Sequence, residues 1–213
     1  MGWSVALAVV GVATTAQTPQ AAAIASDEVL GGAVRHLGLE AAGHFRFELQ
    51  PGMASTVALL AAVAYPLADP AMYNLWLGVE QAVGMSPLLP DPGSGLVAAL
   101  RDCEQAGDGV SVALHLAASC LVGPFWEETF WRGFFLASMT RVLPLPACVA
   151  LSSASFAALH LGPGNLLPIA ALSATCDLLY LRTASLAAPL AFHAGWNAYQ
   201  LAGILLLGKE AFV

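Results

Sequence analysis

Of 213 residues, 58% are hydrophobic and 10% are charged, with a mean hydropathy of +0.73. A soluble globular chain carries about 25% charged residues, so most of this surface does not face water, and the chain reads as an integral membrane protein of one domain. The formal charge is −7, and residues 1–110 hold ten acids against three bases. That balance argues against a nucleic-acid partner and against a polybasic lipid-binding patch.

Residues 3–13 are apolar but short for a full span. No Lys or Arg precedes Arg35, so a secretory signal is poorly supported, and a partial span or the remnant of a targeting segment stays open. Ser26-Asp27-Glu28 can cap a short surface helix running toward residue 43. His36 and His44 lie in this polar section and read as solvated. Met53–Ala68 is an uncharged apolar run and a candidate span. Met72–Leu89 is more mixed and reads as a partly buried or interfacial helix. The cluster from Pro90 to Gly95 is a breaker, and residues 96–109 form a polar connection with room for a short amphipathic helix.

Beyond residue 110 the chain changes in kind. Val110–Thr140 is one long helical stretch, with Gly123-Pro124 positioned to kink it. Apolar runs at Ala147–Leu161, Leu166–Leu181 and Ser185–Leu207 follow, separated by Pro, Gly and Arg residues. No Asp, Glu, Lys or Arg occurs from Val142 to Cys176 or from Thr183 to Gly208. The expected fold is all-α: a polytopic transmembrane helical bundle with a membrane-embedded polar cavity. Residues 1–110 form a divergent N-terminal region with one or two spans and polar linkers. Residues 111–208 form a core of four packed spans.

The stretch from Pro124 to Phe134 puts Glu127, Glu128 and Arg132 into otherwise apolar sequence. An isolated buried ion costs several kcal/mol or more, so such charges face one another, a wet cavity or a substrate. Glu128 and Arg132 are four apart and can pair on one helix face. Glu127 is turned roughly 100° away and is the freer carboxylate. Two later runs carry polar groups of their own. His160 stands one turn after Phe156, and His193 stands one turn before Asn197. From the side where Arg141 and Arg182 lie, helix rise places Glu127, His160, His193 and Asn197 at roughly 16–24 Å. All four can therefore meet at one level.

These residue types suit hydrolysis. A carboxylate and an imidazole can hold and deprotonate water. A second imidazole and an amide N–H can donate to a developing oxyanion. Glu127, His160 and His193 could instead ligate a divalent metal, with Zn²⁺ the obvious candidate, although no HExxH is present. Cys120, seven residues before Glu127, is a conceivable thiol nucleophile, but an apolar setting disfavours it. Asp177, Ser152 and Ser153 read as span-end or packing residues.

The three motifs, Glu127-Glu128-xxx-Arg132, Phe156-xxx-His160 and His193-xxx-Asn197, resemble those of the CPBP family, the Rce1-type CAAX proteases and bacteriocin-processing intramembrane proteases. The segment from Leu179 to Leu190 resembles the family's approach to the last motif, with Ala184 where Gly is common. The resemblance covers roughly residues 111–208. It implies an endopeptidase acting on peptide or lipidated protein substrates in membrane lipid, including removal of the last three residues of prenylated CAAX proteins. It implies that Glu127 with His160 activates water, that His193 with Asn197 stabilises the oxyanion, and that Glu128 and Arg132 fill the remaining motif positions. The run from Gly123 to Phe134 is also similar to plastid members of plants and algae, which implies an organellar membrane. Two other readings stay open: a non-catalytic membrane scaffold or immunity-type partner that keeps the cluster for stability, and a proton- or ion-coupled carrier.

Overall fold

The structure, a computed structural model, describes residues 45–84, 92–160 and 165–207. The expectations for residues 3–13, for the helix toward residue 43, and for His36 and His44 lie outside the described residues. Among those described, the chain forms six helices and no strand: α1 (Pro51–Val83), α2 (Pro92–Gln105), α3 (Gly109–Met139), α4 (Leu145–Leu159), α5 (Leu166–Thr183) and α6 (Ala187–Leu207). This is a helical membrane protein. Its outward faces are apolar, with Leu59, Leu67, Val83, Leu114, Leu121 and Trp126 all exposed, while its charged side chains Glu128, Arg132 and Asp177 are buried. That is the arrangement lipid selects, since polar groups must find partners inside.

Three of these helices, α1, α3 and α5, are long and apolar enough to cross a membrane. Helix α4 is apolar but shorter. Helix α6 has 21 residues, enough length, but His193, Asn197 and Gln200 interrupt its apolar character.

Prolines shape the long helices without ending them. Met53–Ala68 and Met72–Val83, the latter the helical part of the run to Leu89 that was expected as a separate interfacial helix, belong to one continuous helix, α1. Pro66 lacks an N–H and crowds the carbonyl four residues back. The chain absorbs this in a wide π turn at Ala64–Ala68. In α3 a π turn at Ala118–Val122 precedes Pro124 in the same way, so the expected kink takes the form of a widened turn. Helix α1 starts at Pro51, in the first-turn position that proline suits, and stops at the left-handed Gly84.

Helix α3 opens on an N-cap. The Asp108 carboxylate accepts from the Ser111 amide at 3.0 Å and from its hydroxyl at 2.6 Å. The Ser111 hydroxyl, then its amide, holds this exposed carboxyl below the ordinary carboxylate value. The unfolded chain therefore takes up the proton first. The cap is at full strength above the ordinary value and is lost as pH falls through the lower folded value. Hydrogen-exchange protection in the first turn of α3 should fall on that acidification, and Asp108→Ala should remove the pH dependence.

Helix α5 ends at Ala184, which has a left-handed φ of 50°. An L residue with a Cβ pays about 1–2 kcal/mol there, which gives a physical reason for glycine at this position. The segment before α1 crosses this corner. The Leu186 amide donates to the Arg46 carbonyl at 2.7 Å, and the Ser185 hydroxyl donates to the Glu48 carbonyl at 2.7 Å. Phe45 lies over Gly133 so closely that a Cβ there would sit 2.7 Å from its ring.

Two apolar clusters join the helices. Trp131, Phe135 and Leu136 of α3 pack with Phe156 of α4 and Tyr180 of α5. Val57 of α1 packs with Leu172 and Cys176 of α5 and with Phe192 and Trp196 of α6. The polar site lies where α3, α4, α5 and α6 meet.

Candidate active site

Arg132 is the centre of the buried polar network. It has no exposed side-chain surface, and its guanidinium ties its own helix, α3, to α5. Nη1 donates to Glu128 Oε1 at 3.0 Å on its own helix. Nη2 donates to the Ser173 carbonyl at 2.6 Å and hydroxyl at 2.8 Å on α5. Nε lies 2.9 Å from Asp177 Oδ1, an ion pair whose N–H is not aimed for a hydrogen bond. The Phe156 ring of α4 closes the side, 5.3 Å from the guanidinium carbon. The planar fork of arginine suits this many-sided bonding.

Asp177 departs from the expectation of a span-end or packing residue. It is fully buried well inside α5. Its Oδ1 accepts from the Ser152 hydroxyl at 3.3 Å, and its Oδ2 accepts from the Ser153 hydroxyl at 3.2 Å. The two serines of α4 complete the shell of a buried carboxylate that otherwise has only Arg132. A sequence signal was available. Asp177 is the one charged residue between Arg141 and Arg182, the same isolation that marks Glu127 and Glu128. Ser173 lies one turn before it on the same face.

The network reaches outward through Glu128. Glu128 Oε1 lies 2.7 Å from His193 Nδ1 of α6, while Oε2 has no protein partner. An ionised carboxylate only accepts, so Nδ1 carries the proton and Nε2 faces the other way. There it lies 3.6 Å from Glu127 Oε2. The Glu127 side chain is 32% exposed and that of Glu128 is 1% exposed. This contrast separates the two neighbours: Glu128 is locked into the network, and Glu127 is the open carboxylate. The spacing argument for Glu128–Arg132 agrees with the observed pair.

His160 and Asn197 have hydrogen bonds of their own. His160 caps the end of α4, with Nδ1 donating to the Phe156 carbonyl at 2.8 Å when it carries the proton. That tautomer leaves Nε2 as an acceptor. Its ring lies 4.5 Å from that of Phe156, which in turn lies 5.8 Å from His193. Phe156 therefore contacts both imidazoles. Glu127 makes its close approach to His193 and does not hydrogen-bond His160. Asn197, one turn beyond His193, donates one amide hydrogen to the Ser119 carbonyl of α3 at 2.8 Å. Its second amide hydrogen and its oxygen remain for other partners.

Among the described residues, no three His, Cys, Asp or Glu side chains converge as metal ligands. Glu127, His160 and His193 are not such a set. Cys120 instead lines an apolar groove of about 770 Å³ between α3 and α6, with Phe125, Trp126, Leu190 and Ala194. Phe47 of the segment before α1 covers part of it, its ring stacked on Phe125 at 5.7 Å. Cys120 makes no hydrogen bond to an imidazole. Its lining residues Trp126 and Ala194 are chain neighbours of Glu127 and His193, which themselves do not line it.

These features define a helical membrane protein in which a buried ion network orients an imidazole toward a partly open carboxylate. Residues 109–199 match the family model described as Type II CAAX prenyl endopeptidase Rce1-like. No curated protein and no solved structure gives a significant match.

Proposed function

We propose that the chain is an intramembrane endopeptidase that hydrolyses a peptide bond of a prenylated protein near its C-terminus. The observation that carries this reading is the Glu128–His193–Glu127 arrangement, with its 2.7 Å and 3.6 Å separations and only Glu127 open. In the proposed reaction Glu127 takes a proton from water, and the oxygen attacks the scissile carbonyl carbon. His160, through Nε2, is a second acceptor for that water. The tetrahedral oxyanion accepts from the Asn197 amide and from Nε2–H of protonated His193, in a site that excludes bulk water. Collapse breaks the C–N bond, and Glu127 returns its proton to the leaving amine. Glu128 and Arg132 act by holding His193, and no step is routed through a metal. The apolar groove between α3 and α6 has the size and lining to take the lipid part of the substrate. The likeness to plastid members adds an organellar membrane to the proposal.

The scaffold reading accounts for Glu128, Arg132 and Asp177 but leaves Glu127, outside their hydrogen bonds and partly open, without a role. The deciding experiment offers the purified full chain, in detergent micelles, a farnesylated CAAX-ended peptide and its unmodified twin. Release of the C-terminal tripeptide from the farnesylated peptide is expected by mass spectrometry. Folded protein that cleaves neither peptide would reject the reading.

A further inference from the structure

Helix α1 lies outside the stretch that matches the family model, residues 109–199, yet it grips α6 at the turn that carries His193. The Tyr65 hydroxyl donates to the Phe192 carbonyl at 2.5 Å. A carbonyl oxygen has two lone pairs, so it can take Tyr65 in addition to a helical N–H. The Tyr65 ring is held by Phe192, Trp196 and Tyr199 at centroid distances of 5.2, 5.6 and 5.6 Å. One turn further along α1, Asp69 is buried and accepts from Gln200, seven residues beyond His193. Tyr65 and Asp69 are spaced by four: Tyr65 lies within the π turn at Ala64–Ala68, and Asp69 is the first residue after it.

Gly195 shows how tight this contact is. A Cβ there would come within 2.7 Å of the Tyr65 hydroxyl, closer than such atoms approach in real structures. The aromatic ring is packed on three sides, so it would have to swing away and give up the Phe192 carbonyl. The glycine between His193 and Asn197 is therefore the space that Tyr65 occupies. The hydroxyl fixes the height and rotation of α6 at residue 192, while Glu128 fixes the His193 ring from the other side.

We propose that Tyr65 is a positioning residue for His193: α1 completes the site by docking its phenol hydroxyl into the notch left by Gly195. The proposal rests on the endopeptidase reading for its kinetic consequence, but its structural part is measurable without turnover. A net hydrogen bond of about 1 kcal/mol corresponds to roughly 5-fold, and a displaced donor loses more. Tyr65→Phe keeps the ring and removes only the hydroxyl. Gly195→Ala keeps the hydroxyl and fills its notch. Each should lower kcat on the farnesylated peptide by about 5- to 20-fold with KM within about twofold. The double variant should be no slower than the slower single one, since both break the same bond.

In ¹⁵N-histidine NMR of the full chain in micelles, both variants should shift the His193 ring signals and leave those of His160 in place. Unmoved His193 signals in both variants would overturn the proposal, as would an unchanged kcat in an active enzyme. If the wild type cleaves no peptide, the endopeptidase reading fails by that result, and the coupling of Tyr65 to His193 stands or falls on the NMR shifts alone.

Discussion

Replacing Glu127 with Gln is expected to lower cleavage of the farnesylated peptide by about 10²- to 10⁴-fold, the range that a positioned general base supplies. The substitution keeps the size and a polar oxygen but removes the group that takes the proton. Glu127 makes no hydrogen bond within the buried network, and its side chain is 32% exposed, so the thermal midpoint should move little. This combination separates the catalytic reading from the scaffold reading. Under the latter, Glu127→Gln changes neither stability nor partner binding, and no cleavage is present to lose. His193→Gln is the companion variant. It leaves Glu128 Oε1 with Arg132 alone, so it should lose both activity and some stability. A Glu127→Gln enzyme that retains more than about a tenth of wild-type kcat/KM would remove Glu127 from the role of base.

The sequence made the helical membrane class legible through missing charge, and made the Glu128–Arg132 pair legible through i,i+4 spacing. Helix rise also predicts comparable depth for Glu127, His160, His193 and Asn197. Rotation about the helix axis was less accessible. The π turns at Ala64–Ala68, Ala118–Val122 and Thr129–Leu136 each add a residue to a turn, so faces counted at 100° per residue drift. That drift separates a depth argument from a contact argument. Depth alone therefore does not choose a partner for Glu127, whose carboxylate lies 3.6 Å from His193 Nε2. The partners of Arg132 were hidden for a different reason. Ser152, Ser153 and Ser173 carry no charge, and in an apolar run a serine reads as a small packing residue. Only the neighbour across the helix interface shows that it closes the shell of Asp177 or Arg132. Tyr65 was hidden because aromatic residues are common in such helices and its acceptor is a backbone carbonyl 127 residues away.

Arg132→Met is expected to cost about 3–5 kcal/mol of stability, the penalty for removing one partner of a buried ion pair. The arithmetic of partners supports the upper part of that range. Glu128 would keep only His193, and Asp177 would keep only the two serine hydroxyls at 3.2 and 3.3 Å. Two carboxylates would then share a pocket with no fixed cation, and the Ser173 carbonyl would lose its side-chain donor. Arg132→Lys should not restore the wild-type value. A single ammonium on a flexible stem cannot reproduce the fork that meets Glu128, Ser173 and Asp177 together. Neutralising what remains should help more than supplying a smaller cation: adding Glu128→Gln and Asp177→Asn to Arg132→Met removes the buried uncompensated charge and should recover a large part of the loss. The measurement is reversible unfolding in mixed micelles, with the triple variant compared against Arg132→Met. If Arg132→Met unfolds at the wild-type midpoint, the buried network does not hold these helices together. If the triple variant is no more stable than the single one, the loss comes from packing around the arginine stem and Phe156, and the unpaired charges are not its cause.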